Sequence, residues 1–122
     1  MSTILNETAE LFREPGEAIL SPSQMANVFR LELGELAEAL GVHRNTLRLS
    51  PSNTRAQERL RAFHRVFLAL LDLMPDINRA AFHMRNTPIR TLNYRTLFEA
   101  VRDGEELKAL RYLQTISTGQ NG

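Results

Sequence analysis

The apolar positions of this chain recur at steps of three and four, in runs cut by Pro, Gly, Ser and Asn. That spacing keeps side chains on one face of a helix. Residues 4–12 form a short amphipathic segment closed by Glu14-Pro15-Gly16. Ser21-Pro22-Ser23-Gln24 puts a capping hydroxyl, a proline at the first helical position and a glutamine three residues on, which predicts a helix from 22 toward 31. Residues 33–40 read as the next helix, stopped by Gly41, with a brief one from 43 to about 49. After a break at Ser50-Pro51-Ser52-Asn53, Thr54 with Gln57 predicts a second capping box and the start of the longest helix. That helix carries Ala56, Leu60, Phe63, Phe67, Leu70 and Met74 on one face. Val66, Leu68, Leu71 and Leu73 widen the apolar surface, so burial on most sides is expected, and Pro75 ends the run. Residues 76–84 predict a short helix, and 86–94 an extended or turn segment around Pro88. Thr96 with Glu99 predicts a third capping box, Asp103-Gly104 a stop, and 105–116 the last helix. Residues 117–122 are a polar, glycine-flanked tail. No segment alternates as a strand does, so the expected class is all-α, in three parts: an N-terminal helical extension (1–20), a central unit (21–52) and a C-terminal unit (53–122).

Composition narrows the picture. A chain of 122 residues has room for one domain or two small helical units. The net charge of +1 provides no global attraction to a polyanion, so any nucleic-acid footprint must be local. Cysteine is absent, which removes disulfides, thiolate metal sites and thiol nucleophiles and suits a reducing cytoplasm. The first ten residues carry acids rather than a basic start and an apolar run, and the longest apolar stretch, 66–71, is far short of the roughly 20 residues a spanning helix needs. A cytoplasmic protein with no membrane association is expected. There is no internal repeat or low-complexity tract.

One segment, Leu36-Ala37-Glu38-Ala39-Leu40-Gly41-Val42-His43-Arg44-Asn45-Thr46-Leu47, resembles the helix-turn-helix of phage-repressor-like regulators. In that unit a small residue, here Ala37, lets two helices cross closely, a glycine makes the turn, and Val42 and Leu47 anchor the second helix. The resemblance implies that His43, Arg44, Asn45, Thr46 and Arg48 face a major groove or its phosphates. Between His43 and Arg65 lie six arginines and one acid, a local excess of +5 that suits a phosphate-facing strip. A helical hairpin with a solvated basic face has the same pattern.

Catalytic constellations are not apparent. His43, His64 and His83 sit about twenty residues apart with no second ligand at metal spacing, so neither a metal nor another cofactor is expected. Glu35 and Glu38, or Glu105 and Glu106, read as solvated structural charges, those in a first helical turn complementing the helix dipole. No glycine-rich phosphate loop and no serine elbow is present. The chain is expected not to be an enzyme.

Residues 60–119 carry a second resemblance. A long apolar helix is followed by a short helix bearing Phe82 and Met84, then Thr87-Pro88 with Leu92 four residues on, Arg95-Thr96 opening a helix, an Asp103-Gly104-Glu105 break, an Ile/Leu-rich last helix and a closing Gly119. This ordered set resembles the toxin-binding domain of the Xre/MbcA/ParS antitoxins, partners of RES-domain toxins. With the upstream helix-turn-helix and the Leu49-Ser50-Pro51 junction, the likeness covers roughly residues 21–119. Three positions depart from it. The family commonly has tryptophan where this chain has Met84 or Phe82, Thr-Pro where it has Thr96-Leu97, and a small residue where it has Tyr94.

The resemblance implies that residues 21–52 are a helix-turn-helix unit and 53–122 a toxin-binding unit. It further implies an antitoxin, a homodimer within a larger toxin–antitoxin complex, that covers the active site of an NAD-consuming toxin and possesses operator DNA as a second partner. Carried over by position, the toxin contacts are Arg111, Tyr112, Gln114, Thr115, Ser117, Thr118 and Gly119. A stand-alone helix-turn-helix regulator, dimerising through its C-terminal helices, is the competing expectation. A small helical enzyme or ligand-binding protein would need a pocket of convergent polar groups, to which no residues point.

Overall fold

The computed structural model describes Phe12 and residues 19–119, and these are helical with no strand among them. The expected segment at 4–12 lies outside the described residues except for Phe12, which is buried. The helices are α1 (Pro22–Phe29), α2 (Leu33–Leu40), α3 (Arg44–Leu49), α4 (Thr54–Leu73), α5 (Ile77–Asn86), α6 (Leu97–Arg102) and α7 (Glu106–Ser117), with one 3-10 turn at Arg90–Leu92. The chain divides into two compact units, Met1–Arg61 and Ala62–Gly122, and the division falls within α4 rather than at the Pro51 break.

In the N-terminal unit, Ser21 Oγ accepts the Gln24 amide at 3.2 Å and Pro22 opens α1, as their spacing predicts. The helix then stops at Phe29, short of residue 31. Arg30 turns into the left-handed region (φ 57°), and the Leu31 amide closes on the Ala26 carbonyl at 2.8 Å. Met25, Ala26 and Phe29 of α1 and Leu36, Ala37 and Leu40 of α2 are buried, and the two helices pack on each other. The start of α4 departs from expectation. Asn53, not Thr54, caps it, its Oδ1 accepting the Ala56 amide at 3.0 Å. Gln57 is buried and serves the tertiary fold instead. Its Oε1 accepts the Leu20 amide at 3.0 Å, and its Nε2 donates to the carbonyls of Leu20 (2.8 Å) and Pro51 (2.7 Å). A single amide side chain thus ties the entry to α1 and the turn before α4 to one point.

The C-terminal unit is built on the second part of α4. Phe63, Val66, Phe67, Leu70 and Leu71 are all buried, and Leu60, one turn earlier, is buried in the other unit. Met74 lies past the helix end and is half-buried, Leu73 is 37% exposed, and Arg55, Glu58, Arg61 and Arg65 are exposed, so α4 keeps one solvated face and its burial stops about one turn before Pro75. Asp76 caps α5 through the Arg79 amide at 3.0 Å, and the helix runs two residues beyond the expected Met84. Its inner face is Ala80, Ala81 and Met84. Met84 is therefore the core residue of α5, and Phe82 is 70% exposed. The Thr96–Glu99 capping box forms reciprocally, at 3.0 and 2.9 Å, and α6 buries Leu97, Ala100 and Val101. The Phe98 ring lies against Phe63 with centroids 4.7 Å apart. Ala109 and Leu113 bring α7 onto this core.

Phe67 is fully buried at the middle of the α4 face. Phe67→Ala is expected to cost about 3–5 kcal/mol, the range for an emptied aromatic site, in urea unfolding followed by circular dichroism.

Candidate functional site

Two surfaces are candidates, one in each unit. The first is α2–turn–α3. Gly41 ends α2 in the left-handed region (φ 71°), where a side chain is disfavoured, and the Val42 amide closes on the Ala37 carbonyl at 3.0 Å. Ala37 and Leu47 are buried, and Val42 is half-buried. His43, at the N-cap of α3, and Arg44, Asn45 and Arg48 are exposed, whereas Thr46 is half-buried and less available than its neighbours. The Arg44 stem does not project freely. Its Cδ would lie 3.7 Å from a Cβ placed on Gly34, so it runs back over the first turn of α2. Arg55 is also partly spent, since its Nε donates to the Gly41 carbonyl at 3.3 Å and holds the turn. Arg48 and Arg61 remain exposed in this unit, while Arg65 belongs to the other.

The second surface is the outer face of α7. Arg111, Gln114, Ser117, Thr118 and Gly119 are exposed, and Tyr112 and Thr115 are half-buried. Residues 111, 114, 115 and 118 follow helical spacing and share a face. The expected tail starts later than 117, because Ser117 is the last helical residue and its hydroxyl donates to the Gln114 carbonyl at 2.9 Å. Thr115 and Thr118 donate in the same way to Arg111 (2.9 Å) and Thr115 (3.0 Å), and Gly119 leaves the helix with φ 80°. Residues 120–122 of the expected tail lie outside the described residues.

No family model, curated protein or solved structure matches this chain.

Two of the candidate acid–base carboxylates, Glu35 and Glu105, are engaged structurally. Glu35 accepts the Glu32 amide at 2.8 Å. Glu105 pairs with Arg95, and this bond is the main reason its carboxyl is held below the usual carboxylate range. Asp103 is lowered likewise, first by Arg102 and then by Arg95. Among the described residues no three His, Asp or Glu side chains gather at metal-binding distance. His83 Nδ1 lies 3.0 Å from the Thr87 hydroxyl, and His64 sits within α4.

Three residues have roles that the linear pattern does not show. The spacing makes Gln57 a cap and Arg95 only the opening of a helix. Arg95 in fact gathers the Leu92 carbonyl (2.9 Å), Asp103 (3.0 Å) and Glu105. The third is Tyr94, which takes φ 63° directly after Asn93 at 60° and leaves its side chain 68% exposed. The asparagine was the available signal for a left-handed turn, and nothing local points to the tyrosine.

Burial pushes the His64 and His83 imidazoles below their ordinary value of 6.5. The unfolded chain therefore binds protons first. Stability is expected to be full above about pH 6.5 and to fall as the pH drops through the lower folded values, with a slope of at most about 1.4 kcal/mol per pH unit for each histidine. Urea unfolding at pH 7.5 and 5.5 checks this, and His64→Gln should reduce the difference to what His83 contributes.

Proposed function

We propose that the chain is a non-enzymatic antitoxin whose C-terminal unit binds a RES-domain toxin and covers its NAD-consuming active site, as a homodimer within a larger complex. The observation that carries this reading is the set of large apolar side chains that the unit leaves outside its core. Phe82 is 70% exposed, Tyr94 and Leu107 68%, and Ile116 38%. A single exposed apolar residue is ordinary, but several on a unit of this size point to a protein surface as the missing cover. The resemblance of residues 60–119 supports a RES-domain toxin as that cover.

On this reading two parts of α7 divide the work. Tyr112, half-buried on one side of α7, supplies affinity together with the exposed Arg111 and Gln114, and the end from Ser117 onward occupies the place of substrate. Truncation after Ile116 is expected to leave a complex with the co-encoded toxin that still co-purifies but regains NAD turnover and toxicity in cells. Pull-down and NAD consumption on the same sample measure both. If the truncated chain neutralises as fully as the intact one, the inhibition comes from the helices. A wild-type chain that fails to bind the toxin sinks the antitoxin reading.

A specific observation favours DNA binding as a second activity: α2 and α3 meet at a left-handed glycine and leave His43, Arg44, Asn45 and Arg48 exposed together. Arginine and asparagine suit the guanine and adenine edges of a major groove. Arg48→Ala and Asn45→Ala should weaken a gel shift of the chain's own promoter by roughly tenfold each, about 1–3 kcal/mol, while toxin neutralisation survives. No shift by the free protein or its toxin complex ends this second reading.

A further inference from the structure

We propose that the loop from Ile89 to Arg95 is a preformed contact element for the toxin, in which Tyr94 inserts into an apolar pocket rimmed by carboxylates and Arg90 meets that rim. The inference rests on the antitoxin reading and assigns it a contact outside α7.

The loop is held by its own backbone and by one arginine side chain. The Ile89 amide donates to the Arg95 carbonyl at 3.0 Å, and the Tyr94 amide returns to the Ile89 carbonyl at 2.9 Å. The Arg95 side chain then ties the loop to itself through Leu92 and to the α6–α7 junction through Asp103 and Glu105. This anchoring keeps two consecutive non-glycine residues, Asn93 and Tyr94, in the left-handed region. Asparagine tolerates that conformation through its short polar side chain, but for a bulky aromatic it is strained.

Neither folding role accounts for a tyrosine here. The backbone conformation favours glycine or asparagine, and with 68% of Tyr94 exposed the ring adds little to the core. A large ring displayed on a fixed backbone loses little conformational freedom on binding, and that is the property of residues that dominate protein interfaces. Strain retained at such a place points to use.

The charge around the loop defines the partner. From Ile77 to Phe98 the chain has Arg79, Arg85, Arg90 and Arg95 and no acid. Arg95 is compensated by Asp103 and Glu105. Arg79 and Arg90 are exposed, Arg90 within the loop itself. A complementary surface therefore carries carboxylates around an apolar seat.

The test uses the full chain and the co-encoded toxin, with affinity measured by surface binding and stability by thermal melting. Tyr94→Asn should leave the melting temperature unchanged or raise it by about 4 °C, since asparagine relieves the left-handed strain. The same variant should raise the Kd for the toxin at least about 30-fold. Arg90→Glu should slow association about tenfold at low salt, with the difference shrinking as salt is added. A Tyr94→Asn chain that binds toxin within about threefold of wild type, while wild type binds, overturns this proposal and leaves the antitoxin reading intact. A lower melting temperature overturns it too, because the tyrosine would then be structural, and faster association of Arg90→Glu overturns the carboxylate rim. Dissociation of a homodimer by Tyr94→Asn in sedimentation, with toxin affinity unchanged, would seat the ring on a second copy. A wild-type chain that does not bind the toxin removes both readings.

Discussion

A twenty-residue helix spans about 30 Å, and its apolar face has to be covered along most of that length. The covering of α4 is the constraint from which the remaining arrangement follows. Ala56 and Leu60 are buried in the unit with α1, α2 and α3, and Phe63, Val66, Phe67, Leu70 and Leu71 in the unit with α5, α6 and α7. Each flanking helix is short, six to twelve residues, and buries one to four side chains. Helices so short are not stable alone, so each depends on packing against its neighbours: α1 on α2, α2 on α3, α5 on α6 and α6 on α7.

Most of this architecture was legible in the sequence, because the features that start and stop helices act within four residues. Ser21 with Pro22, Gly41, Pro75 and the Thr96–Glu99 pair all stand where their spacing places them. The failures share a cause. Gln57 stands three residues after Thr54, as a capping glutamine would, but its partners lie at Leu20 and Pro51. Arg95 bonds across eight and ten residues to Asp103 and Glu105. A side chain with one long-range use and one local use shows only the local one in a linear pattern. The helix ends at Phe29 and Ser117 were missed for a related reason, since a left-handed Arg30 and a seryl hydroxyl folded onto its own helix have no strong residue preference.

The candidate sites were legible to a lesser degree, and the structure sorts their charges. A charged side chain already bonded to the fold has less to offer a partner, since a new contact must first replace the old one. By that measure Arg55, committed to the Gly41 carbonyl, drops out of the basic strip as a free phosphate contact, and Arg44 is partly withdrawn over Gly34. Arg48, Asn45 and His43 keep their exposure. In the other unit Glu99, Asp103 and Glu105 are occupied by a backbone amide or by arginines, whereas Arg111 and Gln114 stay on the exposed face of α7 with their side chains in solvent. What the fold consumes and what it leaves over are set by the same bonds.

Side chains divide by whether they suit what the backbone requires. Leu97 stands at the first position of α6, where the amide has no helical partner and an apolar side chain can be buried. Met84 fills a core site, and its flexible side chain accommodates the space. Both residues satisfy the local conformation and need no further cause. Tyr94 does not satisfy it. A residue that fits its site is explained by folding alone, whereas one that conflicts with its backbone and buries little of its own surface is the place where folding leaves a choice of side chain unexplained.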